Sequence, residues 1–207
     1  PLVLPDTARH YVRDAVTLGR LSEVKFKIKG DLQQLPFADP KHGEFLVTAK
    51  ASDVQYAYVP PTANSKNWPA LEALKGEMVF NRQSLEVREA QGRVAGLAGL
   101  QLTRGSARIP DLGKAVVEVN TTVKGSLAQG LQFVNNSPVS AMLSDALLQA
   151  TATGPADYSM RLVLPLADLA QTSVQGSLTL PGNDVQFMPG TPVLGRLRGA
   201  LAFTENS

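Results

Sequence analysis

The side chains that could carry acid–base chemistry are few and far apart. The two histidines, His10 and His42, fall on the polar side of a candidate helix and in a Pro-Lys-His-Gly turn. Serine hydrolase chemistry needs a serine, a base and an orienting group within mutual reach, and the sequence has no Gly-x-Ser-x-Gly segment. We therefore expect no enzyme, and we interpret both histidines as solvated surface residues.

The pattern of carboxylates and glycines also predicts no metal site and no cofactor. The aspartates lack calcium-loop spacing, the histidines lack His-x-x-x-His spacing, and the chain has no cysteine for a disulfide or a thiolate ligand. The glycines never form a Gly-x-Gly-x-x-Gly or a phosphate-binding loop. The aspartates therefore read as turn and cap residues: Asp31, Asp39, Asp53 and Asp111.

The charges predict no nucleic-acid partner. Twenty basic residues are spread among 18 acidic ones, whereas a nucleic-acid binder clusters its lysines and arginines. Lys25, Lys27 and Lys29 do share one strand face, which could contact a phosphate or a lipid headgroup. A solvated outer face that discourages edge pairing is the simpler interpretation.

An internal repeat dominates the organisation of the chain. The segment WPALEALKGEMVFNRQS at 68–84 returns as TPVLGRLRGALAFTENS at 191–207, and IKGDL at 28–32 has looser copies at 123–127 and 174–178. Repeats of this kind stack supersecondary units over one continuous apolar surface. We expect two units, 1–112 and a second, incomplete one at 113–207, in a slice of a longer protein.

Period-two alternation predicts a mainly β (α+β) fold, with a curved antiparallel sheet forming an open trough and two short helices. One helix should span Asp6–Leu18 with Gly19 after its end, and the other should lie near 138–149, opened by Ser137-Pro138. Pro69 should follow a 60–68 loop and begin a helical turn at 70–73, with Trp68 as a packing anchor. The strands are expected at 24–32, 45–51, 74–80, 85–90, 97–109, 115–127, 158–164, 174–180, 185–188 and 196–203.

Strands with one apolar and one charged face need a cover for the apolar side. A second layer would make a sandwich core, and a bound lipid would fill a groove. The alternation alone favours the sandwich, and the repeat favours the extendable groove.

The order and spacing of several segments resemble the AsmA-like family, and within it the YhdP-type envelope proteins. The segments are FKIKGDLQQLPF from Phe26, GEFLVTA from Gly43, Trp68-Pro69 with LKGEMVF, NSPVSAML from Asn136, and RLVLPL from Arg161. The resemblance implies a periplasmic β-rich body, anchored in the inner membrane, whose apolar trough conducts phospholipid acyl chains towards the outer membrane. Further repeats of the same chain would extend that trough.

On this interpretation the concave face binds acyl chains. The expected lipid-groove residues are Phe26, Ile28, Phe45, Val47, Met78, Phe80, Leu162, Leu164, Leu178, Leu180, Leu201 and Phe203. The rival is a structural or interaction β-sandwich module of an envelope assembly protein, with no lipid conduit. In either case the strand at 196–203 should lie at a sheet edge, where it could pair with a second copy of the chain.

Overall fold

The computed structural model describes residues 6–59, 68–168 and 171–204, and most of them lie in β-strands. Three α-helices are present in these ranges: α1 (Asp6–Ala15), α2 (Leu127–Asn135) and α3 (Val139–Met142). A short 3₁₀ helix spans Leu32–Gln34. The strands are β1 (Val16–Gly30), β2 (Gly43–Tyr56), β3 (Leu71–Asn81), β4 (Ser84–Val94), β5 (Leu97–Ile109), β6 (Val116–Ser126), β7 (Thr151–Ala152), β8 (Pro155–Pro165), β9 (Ser173–Gln186) and β10 (Leu194–Thr204).

The strands form one open antiparallel sheet, as the alternation predicts. Its order is β1-β2-β3-β4-β5-β6-β8-β9-β10, and the short β7 pairs with β9 off this path. Each long strand has extensive contacts with its sheet neighbours alone, so within the described residues no second sheet packs on the first. The sheet does not close, and β1 and β10 are its two edges.

Five strands carry a β-bulge built on a non-glycine residue with positive φ. These residues have φ values between 49° and 54°, and each falls where the pairing register shifts: Glu23, Asp53, Ala73, Glu89 and Arg196. A bulge adds one residue to a strand, bends it and increases its twist. Because the added residue shifts the apolar–polar alternation by one position, the apolar residues before and after a bulge project to the same face of the sheet.

The long sequence repeat is a structural repeat. The strands β3 and β10 begin at Leu71 and Leu194 and end at Asn81 and Thr204, so they have the same length. The third residue of each, Ala73 or Arg196, is the positive-φ bulge residue. The copies differ in position, because β3 lies inside the sheet and β10 lies at its edge.

The shorter repeat marks a strand end in two of its three copies. Asp31 follows Gly30 and caps the 3₁₀ helix by accepting a hydrogen bond from Gln33 N. Ser126 follows Gly125 and caps α2 by accepting from Gln129 N at 3.1 Å. The third copy remains inside β9.

Two helix predictions are wrong in part and a third is wrong. The helix α1 ends at Ala15, because Val16 to Leu18 extend β1 and pair with β2. The helix expected near 138–149 is limited to α3, and turns follow it. The turn expected at 70–73 is replaced by the start of β3 at Leu71.

Two regions of the strand prediction need a comment. The strands expected at 174–180 and 185–188 are one continuous strand, β9, which ends at Gln186. The loop expected at 60–68 lies outside the described residues except for Trp68, which is in neither helix nor strand.

Candidate functional site

One face of the sheet is lined mainly by apolar side chains, and we call it the apolar face. Directly opposite residues in an antiparallel pair project to the same side, so the register defines its rows. The longest row crosses seven strands through Ala49, Met78, Val87, Ala107, Val119, Leu162 and Val174. The row on one side of it runs through Phe26, Val47, Phe80, Leu85 and Ile109. On the other side, a row through Gly105, Thr121, Met160, Gly176 and Phe203 comes first, and a row through Leu102, Val123, Tyr158, Leu178 and Leu201 comes next.

The register places all twelve predicted groove residues on the apolar face. They occupy its two flanks: Phe26, Ile28, Phe45, Val47, Met78 and Phe80 on β1 to β3, and Leu162, Leu164, Leu178, Leu180, Leu201 and Phe203 on β8 to β10. The rings of Phe45 and Phe80 meet edge to face, with centroids 5.2 Å apart. That these residues hold lipid remains a prediction.

The sequence analysis did not predict the residues in the middle of the apolar face. It is filled from β4, β5 and β6 by Leu85, Val87, Ala107, Ile109 and Val119. A signal was present in the sequence, since Leu85 and Val87 alternate with charged residues. The missing residues join the two predicted flanks into one surface.

The apolar face is half-buried along its central strands, buried at one end of them and exposed towards its edges. Ile109, Leu112 and Val117 form a buried cluster with Phe80 and Leu85 packed against it. By contrast, the side chain of Phe26 on β1 is 68% exposed and that of Leu201 on β10 is 59% exposed. Because the described residues form one sheet, they build an open apolar surface and no sandwich core.

The helix α2 covers one end of the apolar face. Its first residue, Leu127, is buried with Leu180 and Val185 of β9. The hydroxyl of Tyr158 donates to the carbonyl oxygen of Ser126 at 3.3 Å, and burial beneath the helix raises the pKa of Tyr158 to about 12. This close approach requires Gly130, because a Cβ there would overlap the Tyr158 ring and hydroxyl.

Aromatic residues pack at the same end of the sheet beside α1. The hydroxyls of Tyr11 and Tyr56 are 2.8 Å apart, and Tyr11 donates to the carbonyl oxygen of Tyr58 at 2.8 Å. Burial raises the pKa of Tyr56 and of Tyr58. The Trp68 ring lies 6.0 Å from that of Tyr58, as expected for a packing anchor.

The opposite side of the sheet, which we call the polar face, contains several ion pairs between neighbouring strands. Lys27 and Glu44 are 2.8 Å apart across β1 and β2, and Lys124 and Asp157 are 3.6 Å apart across β6 and β8. The hydrogen bond from Lys27 lowers the pKa of Glu44. Such exposed pairs add little stability, and they keep this face wetted.

The polar face also holds a shallow hollow that the sequence analysis did not predict. Its volume is about 430 Å³, and it lies over β5, β6, β8 and β9. The lining residues that project to the polar face are two arginines and six neutral polar residues: Arg104, Ser106, Asn120, Thr122, Ser159, Arg161, Gln175 and Ser177. Thr121, Met160 and Gly176, whose register assigns them to the apolar face, also line the hollow.

The residues considered for catalysis or metal binding do not come together in the structure. Both His10 and His42 are exposed. Within the described ranges, no three His, Asp or Glu side chains converge as a metal would require. The helices described there include none that is long and apolar enough to cross a membrane.

Comparison with protein-family models identifies the family of the chain. The family model described as YhdP protein matches residues 1–207. The chain belongs to the YhdP family. This membership confirms the resemblance to AsmA-like proteins that the sequence segments indicate. No curated protein and no solved structure matches the chain.

Proposed function

We propose that this YhdP-family chain is a periplasmic segment that provides an apolar groove for phospholipid acyl chains moving between the inner and outer membranes. In this proposal the parent protein is anchored in the inner membrane, and its further repeats extend the groove. The segment performs no covalent chemistry and takes no cofactor. Its contribution to the cell is outer-membrane lipid homeostasis.

The observation that carries the proposal is the continuity of the apolar face across the whole open sheet. Strands are about 4.8 Å apart, so its rows cover roughly 40 Å across the strands from β1 to β10. A soluble sheet normally covers such a face with a second layer. Here that layer is missing over the described strands, and exposed phenylalanine and leucine side chains remain at both edges.

The energetics of the apolar face suit transport. Burying an acyl chain contributes about 0.8 kcal/mol per methylene, so ten methylenes would contribute about 8 kcal/mol. The rows present similar aliphatic and aromatic groups from strand to strand, without a charged barrier within the longest row. A chain shifted by one strand spacing would therefore keep most of its contacts.

Site-specific photocrosslinking tests the proposal. A benzophenone amino acid at Val87, at the centre of the apolar face, should form covalent phospholipid adducts in Gram-negative cells, identified by mass spectrometry. The matched control is the same amino acid at Glu86, the preceding residue of β4, which projects to the polar face. Adducts at Val87 alone would support the groove, and equal labelling at both positions or none at Val87 would refute it.

A further inference from the structure

We propose that the hollow on the polar face is a binding site for a phosphate oxyanion, either inorganic phosphate or a phosphomonoester. The proposal is independent of the lipid groove, because the hollow lies on the other side of the sheet. It depends on the arrangement of two arginines among neutral hydrogen-bonding groups.

The hollow is a regular array of eight polar side chains in two rows. One row runs through Ser106, Asn120, Arg161 and Gln175 on β5, β6, β8 and β9. The other row crosses the same strands through Arg104, Thr122, Ser159 and Ser177. The bulge between Leu102 and Arg104 turns Arg104 to this face, although Leu102 belongs to the apolar face.

The two arginines are placed to act on one ligand. They lie two strands and one row apart, so their Cα atoms are separated by about 12 Å. Long arginine side chains from these positions can converge over Asn120 and Thr122, which lie on β6, the strand between them. Guanidinium groups form strong, directional hydrogen bonds to phosphate oxygens.

Arg104 and Arg161 lack the ion-pair partners that Lys27, Arg88 and Arg93 have on the same face. Neither makes an ion pair or a side-chain hydrogen bond with another residue in the described part of the chain. Elsewhere on the face, Arg88 pairs with Glu86 at 2.7 Å and Arg93 pairs with Glu72. The eight lining side chains include no carboxylate, so the array has a net positive charge and is free to bind an anion.

The shape and the neutral lining favour phosphate over a carboxylate. Hydroxyl and amide groups flank the arginines on four strands, so donors can reach several oxygens of a tetrahedral anion. A water molecule accounts for about 30 Å³ of liquid volume, so a hollow of about 430 Å³ has room for an ester group beside the phosphate.

Titration by calorimetry at constant ionic strength, with inorganic phosphate and with glycerol 3-phosphate, tests the site. The variants Arg104→Gln and Arg161→Gln should each weaken binding about tenfold or more, since each removes charge-assisted hydrogen bonds. The matched control is Arg108→Gln on the same strand and face, where Arg108 lies opposite Glu86 and Glu118 outside the hollow. It should bind as the wild type does.

The two ligands distinguish the two sources of the phosphate. Tighter binding of glycerol 3-phosphate than of inorganic phosphate would support the site and assign it to an ester. Equal binding would support it and assign it to the bare anion. No saturable binding of either ligand, or equal losses in the Arg108 control and the two hollow variants, would overturn the proposal. The melting temperatures of all three variants show whether a loss of binding comes from a loss of fold.

Discussion

Replacing Phe80 or Phe26 by aspartate places the same carboxylate at two depths of the apolar face. Phe80 lies on the internal strand β3 opposite Val47 and Leu85, with the Phe45 ring against its own. Phe26 lies on the edge strand β1 and is 68% exposed. The two substitutions therefore separate the stability of the sheet from the binding capacity of its surface.

The expected losses differ by several kcal/mol. At Phe80 the truncation of a packed phenylalanine costs about 3–5 kcal/mol, and desolvation of the carboxylate adds to it. That loss is comparable with the 5–15 kcal/mol stability typical of domains, so Phe80→Asp should unfold much of the chain. At Phe26 about a third of the side chain is buried, so the loss should be about 1 kcal/mol or less.

Urea unfolding followed by circular dichroism, together with a fluorescent-lipid binding assay, measures both effects. Phe26→Asp should unfold close to the wild type and lose lipid affinity about fourfold or more, the equivalent of one methylene contact of about 0.8 kcal/mol. The matched control is Ser22→Asp, which makes the same charge change on β1 but projects to the polar face opposite Lys50. This control should retain both stability and lipid binding.

Two results would refute the reasoning. Equal destabilisation at Phe80 and Phe26 would show that the exposed edge of the face is sealed by packing. Unchanged lipid binding by a folded Phe26→Asp chain would show that the edge of the apolar face does not contact lipid.

Four further outcomes are expected. Asn183→Asp should lose about 3 kcal/mol in urea unfolding, because the buried Asn183 amide donates to two backbone carbonyls that would then face a carboxylate. Gly130→Ala should lose about 1–3 kcal/mol by collision with Tyr158, and Tyr158→Phe in the same chain should recover part of that loss. The wild type should lose stability as the pH rises from 10 to about 12, because the folded-state pKa of Tyr158 lies above its unfolded value. Tyr158→Phe alone should make that loss smaller, measured by urea unfolding at each pH. We also expect β10 to pair with a second copy of the chain, and Leu201→Lys on this open edge should then reduce the dimer fraction measured by sedimentation velocity.

The alternation of apolar and polar residues predicted the sheet well, because the residues of each strand alone determine which side is apolar. The bounds expected for β5, 97–109, are those observed, since apolar and polar residues alternate along much of that segment. The edge position of β10 was also predicted, and the topology confirms it. The bulges were not predicted, because Glu23, Ala73 and Glu89 adopt positive φ in response to pairing rather than to their own preferences.

The helical parts were harder to predict because tertiary contacts decide them. The segment that forms α2 contains Gly130, which weakens a helix in isolation and is needed here for contact with Tyr158. The segment after α3 has the apolar spacing of a helix, yet Ser144 and Asp145 take positive φ and end it in turns. The polar hollow was missed for a similar reason, since its residues come from four strands.

The repeated strand projects its apolar residues to the same face of the sheet whether it has one neighbouring strand or two. In β3, Phe80 is flanked by Val47 and Leu85 on the neighbouring strands. In β10, the equivalent Phe203 has one neighbouring strand, and its ring lies over Gly176, where a Cβ would collide with it. Phe203 nevertheless projects to the same face and remains 36% exposed. A strand that keeps its orientation and bulge with only one neighbour is suited to accept another. The apolar face can therefore lengthen strand by strand, which is what a groove extended by repeats requires.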